Sequence, residues 1–285
     1  MSLTGKVFSA FCRRSDAKRD AGLLPLPDVT DEEGNAYGAH AEQTYDVYRP
    51  AGRAEAPVLV NVHGGGFVYG GTAQYRHYCR ALARGGFCVV SVNYRLAPAF
   101  RFPTQVRDVA AGVRAALSEK FPAARAFGMI GDSAGANLIV QYLIARGCPE
   151  YAAELGIAFP EAKACAAVLN CGVYDLNALR GVMGGGMLRD YVPAEKRGEI
   201  GFLRYLSAAF PPAFVMTAPG DFLREEGIRF SALLSEKGAK QVFREYGDKK
   251  TGHVFHLDVR APLARQVRED ELAFLRARFA DNETE

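Results

Sequence analysis

The chain has 285 residues, of which 49% are apolar, and 35 Lys plus Arg against 32 Asp plus Glu leave a formal charge of +3. That near-balance gives no electrostatic footprint for nucleic acid, which needs clustered excess Lys and Arg. The apolar content excludes a disordered chain, and the length fits either one large α/β domain or nearly two of average size.

Residues 1–43 carry no recognisable motif. Within them Leu3, Val7, Phe8 and Phe11, interleaved with Lys6, Arg13, Arg14, Lys18 and Arg19, predict a short amphipathic helix. No continuous apolar stretch follows the basic residues, so this is not a signal peptide. The helix is expected to lie as a lid on its own protein, with a membrane surface as the competing resting place. No apolar run approaches the ~18 residues of a membrane span, so stable membrane insertion is not expected.

From about residue 44 the pattern becomes regular. Tyr45 to Tyr48 alternates and stops at Pro50, an early strand. Pro57 to Val62 is β-branched and nearly all apolar, as a strand buried on both faces should be. A helix over 74–84 ends at Gly85-Gly86, and Phe87 to Asn93 is a second buried strand. Val106, Val109, Val113 and Leu117 recur at three and four, which predicts a helix over 104–118. Phe127 to Ile130 is a third strand, and Asn137 to Arg146 continues as an apolar helix. Further strands are expected at Ala164 to Asn170, Ala213 to Thr217 and Gln241 to Tyr246, with helices at 224–237 and 263–279. Strands alternating with helices of this length imply βαβ crossovers and a mostly parallel sheet. The irregular stretch 176–210, with Gly184-Gly185-Gly186 inside it, is expected to form a mobile loop or small cap over one end of that sheet.

Six cysteines, Cys12, Cys79, Cys88, Cys148, Cys165 and Cys171, show no C-x-x-C spacing. They read as small buried hydrophobes in a reducing compartment, which places the protein in the cytoplasm. No P-loop, dinucleotide fingerprint or His/Cys metal spacing occurs, so neither a cofactor nor a metal is expected.

Two segments carry chemistry. Gly131-Asp132-Ser133-Ala134-Gly135 fits G-x-S-x-G, follows a predicted strand and opens a predicted helix. A sharp strand-to-helix turn crowds its neighbours, so small residues must flank a serine held out above the sheet. The helix N-terminus adds positive potential where negative charge develops. His63-Gly64-Gly65-Gly66-Phe67 follows the 57–62 strand, and consecutive glycines let backbone N–H groups converge on an oxyanion.

These two segments, with Tyr94-Arg95-Leu96-Ala97-Pro98, resemble the hormone-sensitive-lipase-like branch of the α/β-hydrolase fold. Pro211 to Val215 followed by Gly220-Asp221-Phe222-Leu223-Arg224 resembles that family's segment around its catalytic acid, and Gly252-His253-Val254-Phe255 its histidine loop. The resemblance runs from about residue 45 to the C-terminus. It implies one α/β-hydrolase domain over 1–285: a mostly parallel sheet with helices on both faces, and cap elements at 1–43 and 176–210. The second of these is short for a family that often inserts a larger cap.

Carried over, the resemblance makes Ser133 the nucleophile, His253 the general base and Asp221 the group that orients the imidazole. The chain order Ser, Asp, His is the one this fold uses. The N–H groups of Gly64, Gly65 and Ala134 become the oxyanion donors, and His63 supports the glycine loop by hydrogen bonding. His256 is a rival base, and Asp175 and Asp248 are rival orienting groups. The Gly-His-x-Phe pattern and strand order favour His253 and Asp221. Asp108 reads as a structural hydrogen-bond acceptor, Asp132 as a solvated or locally paired carboxylate, and His40 and His77 as surface residues.

The implied activity is hydrolysis of short- to medium-chain carboxylic esters through an acyl-enzyme, with a small-molecule ester as the partner. An aryl-formamidase type of amide hydrolysis is the alternative, since Tyr45 to Pro50 faintly resembles that group's early strand. A ligand receptor on the same fold is the reading from another class. Homodimers are common in the family, so a homodimer is left open.

Overall fold

The computed structural model describes residues 1–53, 55–177, 185–196 and 200–283. Helix α1 (Leu3–Asp20) is followed by strands β1 (Val29–Ala36), β2 (Thr44–Pro50) and β3 (Val58–Val62). Then come α2 (Thr72–Arg84), β4 (Cys88–Val92), α3 (Thr104–Lys120), β5 (Ala126–Asp132), α4 (Ala134–Gly147), α5 (Pro149–Leu155) and β6 (Lys163–Asn170). The last part holds α6 (Gly186–Tyr191), β7 (Ala213–Thr217), α7 (Arg224–Glu236), β8 (Gln241–Glu245) and α8 (Pro262–Glu283).

The strands form one eight-stranded sheet in the order β1-β2-β4-β3-β5-β6-β7-β8. β1 and β2 pair antiparallel, as do β2 and β4. Every pairing from β4 across to β8 is parallel. Alternate residues of the central strands explain their unbroken apolar runs. Val58, Val60 and Val62 enter a cluster with Val106 and Val109 of α3 and Ile139 and Leu143 of α4. Leu59 enters the opposite cluster, with Leu82 of α2 and Leu275 of α8. Helices therefore cover both faces, and the alternating strand-helix pattern yields the parallel sheet it predicts.

Two regular elements differ from the sequence reading. β1 lies inside the stretch read as irregular. Its residues are mostly exposed, so an edge strand solvated on both faces leaves no apolar alternation to detect. α5 spans 7 residues, too short for a periodic signal. In the expected cap, residues 178–184 (Gly184 among them) and 197–199 fall outside the described residues. The described remainder is packed: Met187, Leu188, Tyr191 and Phe202 are buried, and the Tyr191 ring stacks on Phe67 with centroids 3.7 Å apart.

α1 forms as predicted. Ser2 caps it by accepting the Gly5 N–H at 3.1 Å, and the Ser2 hydroxyl and N–H donate to the Asp190 carboxylate of α6 at 2.7 and 2.9 Å. Arg19 donates to the Gln74 carbonyl at 2.6 Å, and Asp16 accepts from the Tyr69 phenol at 2.9 Å. No described helix is long and apolar enough to cross a membrane. No disulfide joins the six cysteines, and Cys79, Cys88, Cys165 and Cys171 are buried.

A buried carboxylate joins three of these elements. Glu271 of α8 accepts from Tyr78 of α2 at 2.8 Å and from Asn170 at the end of β6 at 2.6 Å. Burial pushes its pKa from the ordinary 4.5 up to about 7, against the pull of those two donors. The folded state thus holds a proton that the unfolded chain releases between 4.5 and about 7, and this group's contribution to stability falls as pH rises through that window. Glu271→Gln removes the loss. Thermal unfolding should show the variant's melting temperature, relative to the parent, higher near about pH 8 than near about pH 5. An identical difference at both pH values would show that Glu271 does not titrate in that range.

Candidate active site

The functional side chains collect where the parallel strands end, at the carboxyl edge of the sheet. β3 runs into His63, β5 into Ser133, β7 into the turn bearing Asp221, and β8 into the loop bearing His253. Ser133 sits between β5 and α4 with φ 52°, a left-handed value costing a non-glycine residue about 1–3 kcal/mol. Its N–H donates to the Asn170 carbonyl at 2.9 Å, which ties the turn to β6. The flanking glycines are needed for close approach. A Cβ on Gly131 would lie 2.6 Å, and one on Gly135 2.1 Å, from the Val62 carbonyl oxygen of β3.

His253 Nε2 lies 3.0 Å from Ser133 Oγ, and His253 Nδ1 lies 2.8 Å from Asp221 Oδ1. Burial alone would raise the Asp221 carboxyl. The hydrogen bond and charge of His253, with the Leu223 N–H donating at 2.9 Å, outweigh it and hold that carboxyl below its usual range. The Thr217 hydroxyl donates to the other Asp221 oxygen at 3.0 Å. The Phe222 ring lies against the His253 imidazole, centroids 4.3 Å apart.

The rival residues lie elsewhere. His256 is buried edge-on to Tyr78, and burial pushes its pKa down to about 3, so it is neutral. Asp175 is exposed and accepts from Asn177, and Asp248 serves the turn before His253 by accepting the Lys250 N–H. Asp108 is a locally paired carboxylate, receiving two bonds from the Arg95 guanidinium at 2.8 Å each and one from Gln43 at 3.1 Å. His40 is exposed and His77 half-buried.

His63 is fully buried. Its Nδ1 lies 2.8 Å from the Gly64 carbonyl, and its ring stacks on Tyr94 at 4.1 Å. Burial lowers its pKa to about 4, so the imidazole is neutral and its Nδ1–H donates to that carbonyl.

Gly65 needs its lack of a side chain: at φ 108° an added Cβ would lie 2.0 Å from the Tyr69 carbonyl oxygen. The Gly65 and Ala134 N–H groups donate to no group among the described residues. Gly64 differs from expectation. Its N–H already donates to the Tyr75 phenol oxygen at 2.8 Å, and that phenol donates to Asp132 at 2.9 Å. Burial pushes the Asp132 pKa up to about 6, while the Tyr75 bond and the charge of His253 oppose it. Sequence reasoning missed Tyr75 and Thr217. Tyr75 reaches Asp132 across 57 positions of chain, so no local spacing announces it.

The cavity above Ser133 measures about 370 Å³, and its wall is mainly apolar. Phe8, Phe11 and Cys12 of α1 form one side, and Leu257, Val254 and Phe222 the other. Among the described residues, Cys171, Asp221 and His253 bring potential metal-ligand atoms within 4.8 Å of one another. The Asp221 and His253 atoms are already spent on their mutual hydrogen bond, and burial raises the Cys171 thiol well above its usual pKa, so it stays protonated. That donor set fits a hydrogen-bonded relay better than an ion.

Comparison with known proteins agrees with this architecture. A family profile of the alpha/beta hydrolase fold matches residues 59–257. Esterase LipI of Mycobacterium tuberculosis is 32% identical over 203 residues, which is 65% of this chain and 62% of LipI's own length. Carboxylesterase NlhH of the same species is 31% identical over 241 residues, covering 75% of this chain and 72% of NlhH. The crystal structure of esterase B from Lactobacillus rhamnosis superposes with a TM-score of 0.91 at 21% identity, over 98% of this chain and 95% of that one, a likeness of fold. The profile covers more than half of the sequence, so the chain belongs to the α/β-hydrolase fold family, in its hormone-sensitive-lipase-like esterase branch.

Proposed function

We propose that the protein is a serine carboxylesterase that hydrolyses short- to medium-chain carboxylic esters through an acyl-enzyme. The observation that carries the reading is the hydrogen-bonded chain Ser133–His253–Asp221, 3.0 and 2.8 Å, at the floor of an apolar cavity. His253 Nε2 takes the Ser133 proton as Oγ attacks the ester carbonyl, and then delivers it to the departing alkoxide. Water, deprotonated by the same imidazole, releases the acid. Asp221 holds the Nδ1–H tautomer and stabilises the imidazolium, its charge kept in place by Leu223 N–H and Thr217. The N–H groups of Gly65 and Ala134 receive the oxyanion, assisted by the positive end of α4. Gly64, committed to Tyr75, positions the loop. His63 supports it from behind as a neutral donor.

The mainly apolar wall suits an uncharged acyl chain; of the charged side chains that line it, Asp16 and Arg19 pair at 2.8 Å and Asp132 is hydrogen-bonded by the Tyr75 phenol. The α1 helix closes one side and limits chain length. We read the protein as one catalytic domain capped by α1 and the 176–210 stretch, and as cytoplasmic, a reading supported by the buried, hydrophobe-like cysteines.

Ser133→Ala should lower kcat on p-nitrophenyl butyrate by a factor on the order of 10⁴ or more, and Asp221→Asn by about 10⁴. Wild-type turnover in the Ser133→Ala protein would refute the mechanism. Across p-nitrophenyl esters, kcat/KM should peak at butyrate to hexanoate and fall steeply by palmitate. Equal or greater rates on N-formylkynurenine would move the assignment to amide hydrolysis, and failure of Ser133 to react with a fluorophosphonate would revive a receptor role.

Tyr75→Phe leaves the Gly64 N–H without its acceptor and Asp132 without its donor. Such a loss costs about 1–3 kcal/mol of stability. Asp132, with its pKa pushed up to about 6, is charged above that pH, so the cost should be larger near about pH 8 than near about pH 5. Denaturant titrations at the two pH values measure it, and equal costs would mean that Asp132 does not feel the phenol.

A further inference from the structure

Most of the exposed large apolar side chains of the described residues belong to the start of the chain. Met1, Leu3, Val7 and Phe11 lie on or beside α1, Leu24 lies just after it, and Phe222 lies at the cavity rim. A soluble protein scatters such residues singly. Here Leu3, Val7 and Phe11, exposed by 78%, 62% and 72%, follow each other at four-residue spacing and form one ridge along the outer face of α1. At 100° per residue, Arg14 and Lys18 prolong the same face, and Lys6 and Arg13 flank it.

These four cations are exposed, and no described acidic group pairs with them. The two acids of α1, Asp16 and Asp20, are both taken by Arg19 on the inner face. The outer face is thus apolar and purely cationic. Its inner face is bonded to Asp190, Tyr69 and Gln74, so the ridge is presented without any part of the fold having to open.

We propose that α1 docks the protein on an anionic phospholipid bilayer surface, with Leu3, Val7 and Phe11 entering the interface and Lys6, Arg13, Arg14 and Lys18 meeting the headgroups. Charge decides the occupant. A second copy of the chain would bring like-charged faces together, whereas an anionic surface neutralises them. The pattern of apolar ridge and basic flanks is that of a helix lying in an interface, not one crossing it. Phe11 belongs both to the ridge and to the cavity wall, and Phe222 stands on the opposite rim. Docking therefore sets the cavity mouth at the bilayer surface, where amphiphilic compounds concentrate. The proposal concerns binding and stands whether or not the esterase reading does.

Co-sedimentation of the full chain with vesicles tests it, with phosphatidylcholine alone as one arm and phosphatidylcholine plus phosphatidylglycerol as the other. The protein should partition at least about tenfold more strongly onto the anionic vesicles, and high salt should reverse this. Two variants separate the contributions: the triple change Lys6→Gln, Arg13→Gln and Arg14→Gln, and the double change Leu3→Ser and Val7→Ser. Each should lower partitioning by about tenfold. None of these residues lines the cavity, so hydrolysis of soluble p-nitrophenyl butyrate should be unchanged, which also reports that the variants fold. Absence of wild-type binding to anionic vesicles, or equal binding by the variants, overturns the proposal. So does a concentration-dependent dimer in sedimentation velocity that the same substitutions dissolve, since it assigns the face to a second copy.

Discussion

The approach of the β3 carbonyl at Val62 to the turn carrying Ser133 is the constraint on which the site depends. The oxygen sits where side chains at positions 131 and 135 would project, so only glycine fits on either side of the turn. That closeness lets β5 stop and α4 start within one residue, with Ser133 at a positive φ and its N–H held by β6. Strain of this kind persists only where the surroundings over-determine it. Here three adjacent parallel strands do so. The same device recurs beside His253: Val254, a β-branched residue, takes φ 51° immediately after it. Ser133 and His253 are both delivered by backbone conformations that the sheet and its loops impose.

Behind Ser133 and His253 lies a layer of buried polar residues whose charge burial disfavours. His63 and His256 lose their charge to burial, and Asp132 and Glu271 are pushed towards protonation. Asp221, although mostly buried, is the contrasting case. Its neighbours are a histidine, a backbone N–H and a hydroxyl, all donors, so it keeps its charge. Asp221 is therefore the carboxylate of this centre whose charge is held most firmly. A low-dielectric surrounding strengthens its interaction with the imidazole.

The N-terminal helix links the catalytic centre to the exterior. Phe8 and Cys12, with Phe11 at the edge of the ridge, complete the cavity, and the outer face carries the ridge and the cations. Reading the helix as a lid on its own protein and reading it as a surface-seeking helix are compatible, because they concern opposite faces. The six-residue α6 anchors its start through Asp190. The two segments without family motifs thus meet each other at the cap.

Much of the fold could be read from periodicity. The central strands are buried on both faces, so their apolar runs are unbroken, and the helices between them bury one stripe each. β1 and α5 escaped because an edge strand in water and a seven-residue helix have no periodic pattern to show. The motif around Ser133 and the glycine run after His63 were legible because local backbone geometry demands glycine at fixed offsets. Asp221 and His253 could be named through resemblance and strand order, but their 2.8 Å contact spans 32 residues and is made only by the sheet. Tyr75 and Thr217 were invisible. Their roles rest on side chains from distant elements meeting in space, and on which N–H groups find partners. The fold class and the glycine-flanked motifs around Ser133 and after His63 are written in local spacing, so they can be read along the chain. Which glycine N–H is occupied, which acids keep their charge and which face of the first helix meets solvent follow from packing, because burial and hydrogen-bond partners exist only in the folded chain.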